Sequence, residues 1–311
     1  MEYQHTPVML KEVMEYLKPQ QGGYFIDGTL GGGGYTAALS GVVGSEGKIL
    51  AIDLDEQAIA NTAEKNLGNA VLVKDNFANL SSIIANNIEP GKLFDGFVLD
   101  LGLSSFQLAD PKRGFSFRED SPLDMAFGSS GDNQKTKDIV NNWREEDLAR
   151  IFFTYGEEKH ARRIAKGIVV RRKLSRIETT GDLVEIIKKA IPRRLWSERV
   201  HPATKTFQAL RIAVNHELES LEKVLPQALA ALAPGGRLVI ISFHSLEDRI
   251  VKDFFKTESR DCLCPPEIPI CRCGHQASLK IITKKPIPPT EEEIQINPRS
   301  RSAKLRVAEK I

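Results

Sequence analysis

Asp27 stands directly ahead of a glycine-rich run, Gly28-Thr29-Leu30-Gly31-Gly32-Gly33-Gly34. Glycine tolerates positive φ and lets a ligand come close to the backbone, so a carboxylate leading into such a run reads as a small-molecule cradle. The dinucleotide fingerprint G-x-G-x-x-G is not met, because the sixth position counted from Gly31 is Thr36. A carboxylate at this place would also repel a pyrophosphate. It suits a ligand carrying an amino group and a sulfonium, which is S-adenosylmethionine (SAM). A glycine turn without a ligand is the alternative.

Three further positions share the pattern of an apolar run ending in a functional side chain. Lys48 to Ile52 ends at Asp53, 26 residues after Asp27. A carboxylate there commonly accepts hydrogen bonds from a ribose diol, although a helix N-terminus would use it equally well. Ala70 to Val73 leads to Phe77, an apolar face for an adenine or a core ring. Phe94 to Leu99 ends at Asp100, followed by Leu101-Gly102-Leu103-Ser104-Ser105-Phe106-Gln107. Asp100, Ser104 and Ser105 stand at a strand end from which they could supply polar contacts to a reacting group, while close alignment supplies most of the acceleration.

These side chains need elements to hold them. Four apolar runs at βα spacing predict an α/β fold with a doubly wound parallel sheet, in which ligands sit at the carboxyl ends of the strands. The rhythm stops near residue 109 and resumes near 207 with Phe207 to Leu221, the strand Arg237 to Phe243, and later runs at 279–283 and 304–307. The expected division is 1–108 and 207–311 for the sheet, with 109–206 as an all-α insertion. Within it, Ala161, Ile164, Ala165, Ile168 and Val169 mark one face of a helix.

The insertion also concentrates charge. Lys159 to Lys205 carries fourteen Lys and Arg against four acids, a local +10 in a chain whose net charge is +2. Such a face releases counterions when it meets phosphates, so a nucleic acid is the expected partner; a solvated helix surface is the alternative. The absence of a run of about 18 apolar residues predicts no membrane partner. No secretory pattern opens the chain, which makes the cytoplasm the expected compartment. All four cysteines lie together as Cys262-x-Cys264 and Cys271-x-Cys273, with His275 nearby. Clustering suggests a metal before a disulfide, but C-x-C departs from the usual knuckle. Zinc and reduced thiols both stay open, and no metal ligand is assigned.

Eight blocks in order resemble the RsmH (MraW) family of small-subunit rRNA methyltransferases. They are His5-Thr6-Pro7-Val8, Asp27-Gly28-Thr29, Asp100 to Ser105, Arg113-Gly114-Phe115-Ser116-Phe117, Pro122-Leu123-Asp124-Met125, His201-Pro202-Ala203-Thr204, Ser242 to Asp248 and Asn297-Pro298-Arg299. The resemblance implies a Rossmann-like SAM-dependent methyltransferase sheet with an inserted all-α domain. It implies N4-methylation of a cytidine in the P-site region of 16S rRNA, with 16S rRNA or the small ribosomal subunit as partner and no DNA. SAM contacts carried over are Gly33, Gly34, Tyr35, Asp53, Phe77, Asp100 and Gln107. Tyr35 stands where the family usually has His, and Phe106 where it has Pro. Phe115 or Phe117 is expected to stack on the splayed cytosine. His244 is a further polar candidate or a helix-entry residue. A SAM-responsive RNA-binding or ribosome-assembly factor with little catalysis is the alternative function.

Overall fold

The computed structural model describes residues 7–104, 107–108, 110–117, 119–128, 135–198, 200–265, 267 and 270–311. The chain divides into two units, Met1–Gly102 with Leu218–Ile311, and Leu103–Glu217.

The first unit is built on seven strands: β1 (Tyr24–Asp27), β2 (Lys48–Asp53), β3 (Ala70–Lys74), β4 (Phe94–Asp100), β5 (Leu232–Ser242), β6 (Leu279–Ile281) and β7 (Lys304–Lys310). They lie in the order β3-β2-β1-β4-β5-β7-β6. β1 to β5 pair in parallel, while β7 runs antiparallel to β5 and β6. This is a Rossmann-like α/β sheet whose order reverses between β1 and β4, the switch point at whose strand ends such sheets commonly bind their ligands.

Its central strands read as continuous apolar runs because helices cover both faces. The side chains alternate between two cores. Phe25, Ile49, Val98 and Val239 pack with α1 (Leu10–Leu17) and α2 (Gly34–Val43). Ile26, Leu50, Phe97 and Leu238 face the other way, toward α4 (Leu80–Asn87). Between these helices, α3 (Glu56–Ala63) follows β2 and is capped by Asp55, whose Oδ1 accepts the Gln57 N–H at 3.1 Å.

The second unit holds α5 (Thr136–Asn142), α6 (Glu145–Thr154), α7 (Ala161–Arg172), α8 (Thr180–Ala190) and α9 (Thr204–Asn215). Ala161, Ile164, Ala165 and Ile168 of α7 enter its apolar core, as their spacing predicts. The first two of these helices part at Trp143, whose backbone is extended. The pattern expected to run unbroken from Phe207 to Leu221 breaks. His216 takes a left-handed φ of 50°, ending α9 before α10 (Glu217–Ala231) begins. Apolar periodicity continues across that joint, so periodicity alone conceals it. After β5 come α11 (Ser245–Glu258) and α12 (Glu291–Ile296).

Candidate active site

The carboxyl ends of β1, β2 and β4 bring Asp27, Asp53 and Asp100 into one region of the sheet unit, each with a different task. Asp27 is fully buried. Its Oδ2 accepts the Thr36 hydroxyl at 2.7 Å and its Oδ1 accepts the Thr29 N–H at 3.2 Å. Burial pushes its carboxyl up to about 6 despite those donors. The reading of Asp27 as a direct partner for a cationic ligand is therefore corrected: its oxygens bind the turn and the first turn of α2, and only its field reaches further. Thr36 went unread because nothing in the sequence ties it to Asp27.

Asp53 clamps the loop from the neighbouring strand. Its Oδ2 accepts the Gly31 N–H and its Oδ1 the Asp55 N–H, both at 2.8 Å. Burial, the largest influence, raises its pKa against those two donors. A carboxylate oxygen has two lone pairs, so acceptor capacity for a ribose diol is left over. The helix-capping role considered for Asp53 belongs to Asp55.

The glycines have separate reasons for being glycine. Gly33 sits at φ 69°, the left-handed start of α2, where a side chain would also strike the Thr62 hydroxyl. Gly34 makes room inside the protein, since a Cβ there would run into the Pro7 ring. Lys65 ties the loop from outside by donating to the Gly32 carbonyl at 2.7 Å.

Tyr35 lies beneath this loop and is almost wholly buried. Its hydroxyl donates to the Val8 carbonyl at 2.5 Å and lies 3.1 Å from Asp100 Oδ2. The hydroxyl has one proton to share between these two acceptors. Burial, the largest influence, pushes the Asp100 carboxyl up to about 8 against the hydrogen bond from Tyr35, and the charges of Asp27, Glu247 and Glu293 add to the rise. The Asp100 backbone N–H is held by the Thr29 hydroxyl at 2.8 Å. Its Oδ1 is covered and has no hydrogen-bond partner among the described residues. A buried, unsatisfied carboxyl oxygen is costly unless a ligand completes it. Glu293 reaches this region from α12 and accepts the Met9 N–H at 2.8 Å. It is 284 residues from Met9, and no local pattern announces it.

Phe77 follows β3, half-buried against the second core, in a turn started by Asn76 accepting the Ala78 N–H. His244 takes the helix-entry role: its Nδ1 accepts the Glu247 N–H at 3.3 Å, and Glu247 Oε2 accepts the His244 N–H at 3.2 Å.

The remaining named residues belong to the helical unit. Ser104 and Gln107 satisfy each other, with the Ser104 N–H donating to Gln107 Oε1 at 3.1 Å and the Gln107 N–H to Ser104 Oγ at 3.2 Å. Ser105 and Phe106 lie outside the described residues. Phe115 is buried and stacked on Phe127, and Phe117 stacks on His201 with ring centroids 4.7 Å apart. Both aromatic rings named for base stacking therefore already have partners inside the unit. Along α7 the cations sort into two kinds. Arg162, Arg163, Lys166 and, just past its end, Lys173 are exposed. Arg172 donates to the Val140 carbonyl at 2.9 Å, and Arg171 to the Ser175 carbonyl at 3.0 Å. Arg163, Lys166 and Lys189 line a groove of about 900 Å³ between α7 and α8, together with the apolar Val170 and Ile186.

Comparison with known proteins matches residues 2–311 to the model of the MraW methylase family. The ribosomal RNA small subunit methyltransferase H of Heliobacterium modesticaldum is 50% identical over 314 aligned positions, covering all of both chains. Its namesake from Geotalea uraniireducens is 51% identical over 314 positions, covering 100% of this chain and 99% of that one.

Proposed function

This chain belongs to the MraW methylase family, and from that premise we propose that it methylates N4 of a cytidine in the P-site region of 16S rRNA. The donor is SAM, the substrate 16S rRNA or the small ribosomal subunit, and the place of action the cytoplasm. The observation that carries the reading is the covered, unpartnered Oδ1 of Asp100 at the end of β4. It lies in a region where Asp27, Glu247 and Glu293 add negative field, which favours a ligand bearing a sulfonium and an ammonium.

SAM, when bound, supplies a methyl group made electrophilic by its sulfonium. Gly33 and Gly34 form the close-approach loop, Asp53 offers its spare lone pairs to the ribose, and Phe77 offers an apolar face to the adenine. Asp100, with Tyr35 beneath it, ionises in the presence of a cation and fixes the polar end of the ligand. Asp100 is the group assigned to accept a hydrogen bond from the target amino group; Ser104 and Ser105 are further candidates for that role, and Gln107 anchors Ser104. The helical unit takes the RNA through its exposed arginines and lysines.

Incubating the protein with methyl-labelled SAM and unmethylated small subunits, then mapping the modified nucleotide by mass spectrometry, tests this. A single N4-methylcytidine in the P-site region is expected. Label on another base or another atom would reject the assignment, and no label at all would leave only a binding protein.

A further inference from the structure

The connection from α11 to β6 runs from Ser259 to Ser278, and its described residues form no helix or strand. Loops beyond about 12–15 residues without secondary structure are uncommon inside a domain unless something else orders them. The ordering feature here is the cysteine cluster. The sulfurs of Cys262, Cys264, Cys271 and Cys273 all lie within 4.8 Å of one another. Cys262 and Cys273 are separated by 3.8 Å, and Cys271 and Cys273 by 3.5 Å. A tetrahedral zinc with Zn–S bonds of about 2.3 Å places its sulfurs about 3.8 Å apart. A disulfide would need about 2.05 Å. A multi-iron cluster would hold the thiolates further apart, because several metal ions would stand between them.

We propose that Cys262, Cys264, Cys271 and Cys273 bind one zinc ion as a closed structural site that pins the α11–β6 connection. The C-x-C spacing that argued against a knuckle loses its force, because the chain doubles back and sets the two pairs face to face. Backbone donors already point at the sulfurs. The Leu263 N–H meets Cys273 Sγ at 3.3 Å, the Cys264 N–H meets Cys262 Sγ at 3.4 Å, and the Arg272 N–H meets Cys264 Sγ at 3.3 Å. Such donors neutralise thiolate charge and orient the ligands. The atoms that lie within 4.8 Å of one another are the four sulfurs, and the His275 ring is not among them. Four protein ligands leave no open position, so the ion holds structure and takes no part in methyl transfer.

Full-length protein purified without chelator should contain about one zinc per chain by elemental mass spectrometry. A thiol-specific mercurial should release it stoichiometrically, as read with a zinc-sensitive dye. Cys264→Ser combined with Cys273→Ser should lose the metal and be cleaved faster by protease between residues 259 and 278. If that variant fails to fold, the release assay on the parent protein still decides. Parent protein that takes up no zinc even when incubated with it would overturn the proposal. So would bound iron in place of zinc, or a denatured mass showing the thiols oxidised to disulfides.

Discussion

At the scale of single residues, the strand-end aspartates show how position divides labour among identical side chains. Asp27 is spent on Thr29 and Thr36, Asp55 caps a helix, and Asp53 holds Gly31 while keeping lone pairs to spare. Asp53→Ala should therefore do two things. It should weaken SAM binding by about 1.5–3 kcal/mol, the usual worth of a hydrogen bond to a charged group. It should also lower the melting temperature, because the Gly31 and Asp55 N–H groups lose their acceptor. Calorimetric titration with SAM and a thermal melt on the same sample read the two effects. An unchanged dissociation constant in a folded variant would remove Asp53 from the cofactor site.

At the scale of elements, α7 carries both the packing of the helical unit and its candidate RNA-binding cations. Their separation follows from helix geometry, since the apolar stripe occupies one face and the cations the rest. Arg171 and Arg172 are the exceptions, turned back onto the Ser175 and Val140 carbonyls. Replacing Arg163 and Lys166 together with Ala should lower affinity for 16S rRNA. The slope of log affinity against log salt should fall by about 0.7–0.9 for each phosphate that the variant no longer neutralises. SAM affinity and melting temperature should stay put. Arg172→Ala should instead cost stability, about 1 kcal/mol for the missing hydrogen bond. If the double variant keeps the parent's salt slope, the RNA follows another path, for which the exposed Arg299 and Arg301 are the next candidates.

At the scale of the whole molecule, buried carboxyls link stability to pH. Asp27 and Asp100 have their pKa raised from 3.8 to about 6 and about 8. The folded state thus holds these protons more tightly than the unfolded chain does. Their stabilising contribution is full below the ordinary carboxyl pKa and is lost as pH rises, first through about 6 and then through about 8. Melting temperature without ligand should fall over that window. Asp100→Asn should abolish the upper step and leave the lower one, as differential scanning fluorimetry across a buffer series would show. Superimposable profiles for the two proteins would mean that some other group titrates.

Much of this protein is legible along the chain because its governing interactions are local. Apolar runs at βα spacing located the strands, the glycine run located the turn before α2, and one apolar face located α7. What needed the folded structure depends on groups far apart in sequence. Tyr35 reaches Asp100 across 65 positions, Glu293 reaches Met9 across 284, and β7 enters between β5 and β6 against the direction of its neighbours. Hydrogen bonding and desolvation act through space, so the same aspartate reads alike in sequence whether it organises a loop, clamps a neighbouring strand or keeps an unpartnered oxygen. The cysteines follow the same rule. Their spacing left both metal and free thiols open, and only the doubling back of the chain brought four sulfurs to within 4.8 Å of one another.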